Sequence, residues 1–288
     1  MKGQYISPHT VQQLRHIQTL LDQLHPEAAP QAFIVPGSPE PRDAIIVFPG
    51  SFNPPTKAHL ALLKQAQRFA HEHEPMYLYA ATSKHTVDKE TVERPLLVDR
   101  IHLLEVVLKR RLPHAGIMLF NRGLYVEEAE AIRNSFPKVK RILFLVGFDK
   151  IVQILDPRYY ENRDVALTEL FKLAELLVAP RGDAGEHELA ELLHQPQNER
   201  FAHYIHRLPF NGQYRYVSST NIRQGADLQD APQEVRQFIH ETRAYAPPLH
   251  LRNGSEIDYY GQRIKQLERD VLSSTPKTNS KIRQRSTF

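Results

Sequence analysis

The chain has 288 residues, of which 41% are hydrophobic, a formal net charge of +4 and no cysteine. That composition fits a soluble globular protein with one large or two small domains, and the missing cysteine excludes disulfides, thiolate nucleophiles and cysteine-ligated zinc. No apolar run reaches the ~18–20 residues of a membrane span and the first residues lack a signal-peptide core, so a cytoplasmic location is expected.

The charge is uneven. Residues 251–288 hold eight Lys and Arg against four Asp and Glu, a surplus equal to that of the whole chain. The body is therefore near neutral. The spacing predicts a solvated basic tail rather than a nucleic-acid footprint on the fold.

In chain order, Val11, Leu14, Ile17, Leu21 and Leu24 recur at helical spacing and predict a helix over 10–24. Pro26, Pro30, Pro36, Pro39 and Pro41 then predict an extended linker. Residues 1–43 thus read as an added N-terminal helix and Pro-rich linker. Ile45, Ile46, Val47 and Phe48 form an unbroken apolar run, the pattern of a strand buried on both faces. Pro49, Gly50, Asn53, Pro54 and Pro55 break regular structure. A helix follows over 56–73, with Leu60, Leu63, Ala66 and Gln67 on one face. Thr56 is its expected N-cap and His59 stands in its first turn. Free N–H groups and the positive dipole end make that turn suited to an anion. Gly50 would admit a phosphate close to the backbone, and Lys57 and His59 add donors.

A strand over 76–82 leads to a polar loop carrying Ser83, Lys84, His85, Lys89 and Arg94. Helix 96–110, strand 115–121 and helix 125–136 follow. Strand 141–147 is apolar and so predicted central, and it ends in Gly147-Phe148-Asp149. A carboxylate at such a strand end is placed for ligand work. Tyr159 and Tyr160 come after a proline. Strand 175–180, helix 187–194 and strand 203–208 complete the alternation. His203 and His206 would face opposite ways on a strand, and no zinc constellation is found. Tyr216–Arg223 reads YVSSTNIR: Ser218 or Ser219 caps a helix, Ser219 and Thr220 offer hydroxyls, and Arg223 supplies a charged fork for phosphate. Helix 231–245 closes the domain over 44–246. Residues 247–288 read as a basic extension with a helix over 258–272, partly disordered beyond it.

GSFNPPTKAH, Gly50 to His59, resembles the HxGH-type motif of adenylyl- and cytidylyltransferases, with Thr56 in place of the first His. YVSSTNIR resembles their I-S-S-T-x-[IV]-R motif. Together they are most similar to the nicotinamide and nicotinate mononucleotide adenylyltransferases. The resemblance spans about residues 44–246 and implies an α/β fold, a Rossmann-like, mostly parallel sheet flanked by helices. It implies adenylyl transfer from ATP to nicotinamide or nicotinate mononucleotide, with Mg²⁺ carried on the ATP phosphates. His59, Arg223 and Lys57 become the catalytic group. Gly50, Ser51, Phe52, Thr56, Gly147, Asp149, Ser218, Ser219 and Thr220 join His59 and Arg223 around ATP. Ser51, Phe52, Lys89, Arg100, Tyr159 and Tyr160 face the acceptor. Relatives often carry Trp where this chain has the Tyr pair, and an aromatic face suffices for stacking. Neither a membrane nor a nucleic acid is an expected partner, and relatives commonly form homo-oligomers. Transfer to another phosphorylated acceptor, and a non-catalytic nucleotide-binding protein, are the alternatives.

Overall fold

The computed structural model describes residues 6–84, 94–179, 186–209, 214 and 216–272. Its centre is β2 (Asp43–Pro49). This strand has no side facing water, because it pairs in parallel with β3 (Met76–Ser83) on one edge and with β5 (Val139–Gly147) on the other. The apolar runs follow from that burial. Beyond β3 lies β4 (Ala115–Phe120), and beyond β5 lie β6 (Glu175–Ala179) and β7 (Ile205–Arg207), all parallel. The order β4-β3-β2-β5-β6-β7 is that of a doubly wound, Rossmann-like α/β sheet.

Alternation along the strands divides the interior into two cores. Ile46, Phe48, Leu78, Ala80, Leu143 and Leu145 face one layer of helices. That layer holds α1 (Pro8–Gln23), α2 (Lys57–His73), α3 (Leu97–Arg111), α9 (Gln233–Thr242) and α10 (Tyr259–Asp270). Ile45, Val47, Tyr79 and Phe144 face the other. There lie α4 (Tyr125–Ser135), α5 (Phe148–Leu155), α6 (Arg163–Leu173) and α7 (Glu186–Leu193). No helix among the described residues is long and apolar enough to cross a membrane.

Three local readings change. The Pro-rich stretch contains a short strand, β1 (Ala32–Ile34), which pairs antiparallel with β4. Three residues show no periodicity, so only the partner strand reveals it. The Asn121 side chain pins this stretch, accepting from the Gln31 N–H at 2.8 Å and donating to the His25 and Ala29 carbonyls at 2.9 Å. Helices α5 and α6 fill the span between strands 141–147 and 175–180, to which the sequence assigned no element. In the predicted strand over 203–208, His203 and Tyr204 instead belong to a 3-10 helix (Glu199–Tyr204). The Tyr204 ring stacks on Phe171 with centroids 5.1 Å apart.

The expected solvated tail is also corrected over its described part. Leu267 and Val271 are buried in the first core. Arg263 donates to both Asp99 oxygens, at 2.8 and 2.6 Å, and the Tyr260 hydroxyl donates to Asp99 at 2.8 Å while accepting from the Leu96 N–H. Arg94 forks onto Asp258, the N-cap of α10. Counting charges along the sequence hid this, because the partners of Asp258 and Arg263 lie about 164 positions away.

Candidate active site

The site gathers at the carboxyl ends of β2 and β5. Val47 and Phe144 are partners across these strands, and each chain reaches a glycine three residues later, Gly50 and Gly147. A Cβ on Gly147 would meet open space, whereas one on Gly50 would lie 3.2 Å from the Phe52 ring. Gly50 therefore serves the tight approach of Phe52, which is buried at a positive φ of 43°.

Thr56 caps α2 through a reciprocal box. Its hydroxyl accepts from the His59 N–H at 3.2 Å, and its own N–H donates to His59 Nδ1 at 3.0 Å. Nδ1 is thereby an acceptor, so the neutral ring carries its proton on Nε2. Phe48 and Phe52 pack on the imidazole, with centroids 5.8 and 5.1 Å away. Cap and aromatic wall together fix the direction in which Nε2 can donate.

The second motif folds directly onto this loop. Ser218 caps α8 (Ser219–Arg223), accepting from the Asn221 N–H at 3.1 Å. The Ser219 hydroxyl donates to the Pro54 carbonyl at 2.9 Å, and one Arg223 nitrogen donates to the Asn53 carbonyl at 2.7 Å. A second Arg223 nitrogen donates to the Thr220 hydroxyl at 3.0 Å. The Tyr245 hydroxyl donates to Asn53 Oδ1 at 2.7 Å. In the sequence, Asn53 reads only as a breaker of regular structure and Tyr245 only as part of the closing helix, and neither is assigned a role in the site. An Asn before two prolines and a Tyr at the end of that helix were the available signals, and neither is specific alone. With five residues, α8 has almost no macrodipole, so its pull on an anion must come from free N–H groups and Arg223.

The other candidates are spread more widely. Arg100, in the first turn of α3, reaches the Ser51 carbonyl at 3.4 Å, which brings it to the motif loop. Asp149 lies in the first turn of α5, just past Gly147. Tyr159 is 63% exposed. Tyr160 is half-buried, its hydroxyl donates to the Ile154 carbonyl, and burial pushes its pKa up. Lys57 stands two positions before His59, roughly 200° around the helix, and lines a groove with Leu60 and Lys64. Lys89 lies outside the described residues. Among the described residues no group of three or more His, Asp or Glu is arranged to hold a metal.

Near the end of β3, Glu128 of α4 is fully buried and accepts from the Ser83 hydroxyl at 2.8 Å, while its Oε2 has no partner. Burial outweighs that hydrogen bond and pushes its pKa up to about 8 from 4.5. The folded chain then holds a proton that the unfolded chain releases across this window. Its contribution is fully present below pH 4.5 and is lost as pH rises through 8. Glu128→Gln should therefore flatten the fall in melting temperature between pH 5 and 8 (about the same window). An undiminished fall would show that another group titrates there.

This sheet joins the two motif loops at its carboxyl edge, and comparison with known families makes the chain a nucleotidyltransferase. The family model for cytidylyltransferase-like proteins matches residues 47–225, and the chain belongs to that family. No curated protein matches it. Solved structures do, among them a candidate nicotinate-nucleotide adenylyltransferase from Vibrio parahaemolyticus. That match is 15% identical, covers 71% of this chain and 95% of the other, and has a TM-score of 0.40.

Proposed function

We propose that the protein transfers the adenylyl group of ATP to nicotinamide or nicotinate mononucleotide, forming the dinucleotide and releasing pyrophosphate. The observation that carries this reading is the contact between the two motifs, in which Ser219 and Arg223 hold the Asn53–Pro54 carbonyls beside capped His59. A phosphate oxygen of the acceptor attacks the α-phosphorus of ATP. The bond from the α-phosphorus to its bridging oxygen breaks, and pyrophosphate leaves with that electron pair. The attacking phosphate is already ionised at neutral pH, so placement and charge neutralisation suffice. His59 Nε2–H meets the charge growing on the α-phosphate. Free N–H groups at the starts of α2 and α8, with Arg223, take the β- and γ-phosphates. In this reading Asp149 meets the ribose hydroxyls, and Arg100 with Tyr159 meets the acceptor. Mg²⁺ would arrive on the nucleotide, held by phosphate oxygens and water, and supplies charge neutralisation there.

The test is pyrophosphate release from ATP and Mg²⁺ with nicotinamide mononucleotide, nicotinate mononucleotide and phosphopantetheine in turn. Turnover is expected with one or both pyridine mononucleotides. Turnover with phosphopantetheine alone would replace the acceptor, and silence with all three would overturn the reading.

A further inference from the structure

We propose a second anion site in the groove between α2, α9 and the end of α3, shaped for a chain of two or three phosphates. The groove has a volume of about 370 Å³, and its walls carry Lys57, Lys64, Arg111 and Arg236, with Tyr214 beside them and Leu60 in the lining. Lys57 and Lys64 are seven positions apart, so they share one face of α2, two turns or about 10 Å along its axis. Arg236 approaches from α9, and Arg111 from the last residue of α3.

The charges do not balance. Glu234, with a side chain only 5% exposed, is drawn on by Arg111 at 3.1 Å and by Arg110 at 3.4 Å. Lys57, Lys64 and Arg236 have no side-chain partner among the described residues. Like charges facing one concave space repel, and an anion placed between them reverses the sign of that interaction. Lysine point charges and an arginine fork both suit phosphate oxygens. A single phosphate is too short to meet cations spread over about 10 Å, whereas a di- or triphosphate spans them. The site is separate from His59, because Lys57 points around the other side of α2. It also stands whether or not the proposed reaction is right.

Calorimetric titration of the full chain with inorganic tripolyphosphate at low salt tests this. Saturable binding is expected in the Arg223→Ala background, which removes the phosphate fork of the proposed active site, with a loss of at least tenfold when K64Q/R236Q is added to it. Both replaced groove side chains are exposed, and an unchanged melting curve checks that the combined variant folds. Either of two results would overturn the proposal: no saturable binding by Arg223→Ala, or equal binding after K64Q/R236Q is added to it. In the Arg223→Ala background, ATP binding tighter than tripolyphosphate identifies a nucleotide tail as the source, and the reverse order identifies free polyphosphate.

Discussion

Replacing His59 with Asn should slow pyrophosphate release by about 10²–10³-fold, the usual cost of losing one donor to developing charge. Asparagine is chosen over alanine for a structural reason. Its Oδ1 can still accept from the Thr56 N–H, so the cap on α2 survives and only the Nε2 donor disappears. Alanine would also leave the Thr56 N–H without its acceptor, at a cost of about 1 kcal/mol, and confuse stability with chemistry. The prediction is a collapse in kcat with little change in melting temperature. Turnover within threefold of the unaltered protein (about 0.7 kcal/mol) would remove His59 from the reaction and end the assignment.

Arg263→Leu should be strongly destabilising. The Asp99 side chain is fully buried and Arg263 is 9% exposed. Without the guanidinium, Asp99 keeps only the Tyr260 hydroxyl among the described residues. Stranding a buried charge this way costs about 3–5 kcal/mol, a fall of roughly 10 °C in melting temperature for a chain this size. The double replacement Asp99→Leu with Arg263→Leu should recover much of that loss, because no charge is then stranded. Thermal melts of both variants decide the matter. A single variant as stable as the parent would mean that water reaches Asp99.

Much of the sheet was legible because parallel strands buried on both faces read as plain apolar runs. Ile45–Phe48 and Ile142–Val146 could hardly be anything else between Pro- and Gly-rich loops. The helix from Lys57 was legible from its cap, since Thr56 and His59 are local to each other. What stayed hidden was non-local. β1 exists because β4 offers it an edge, and α10 belongs to the core because Asp99 waits for Arg263. The same distinction runs through the candidate site. The sequence named Ser219 and Arg223 and aimed them at phosphate. It had no means of showing that both also brace the Asn53–Pro54 backbone, or that Tyr245 does so through the Asn53 side chain. Lys57 carries the opposite lesson: adjacency to His59 in sequence suggested partnership, and helical geometry turns the two apart.

The bracing of Asn53 and Pro54 reaches across 165 to 192 positions of sequence. Contacts of such long separation close late, because the intervening chain must be ordered first. A growing chain emerges amino end first, so the GSFNPPTKAH loop is exposed long before the residues that shape it. A fragment ending at Arg207 would contain the more recognisable motif and every strand of the seven-stranded sheet, yet lack Ser219, Arg223 and Tyr245, the braces that shape its loop. The loop therefore gains its full set of braces only once Tyr245 has been made.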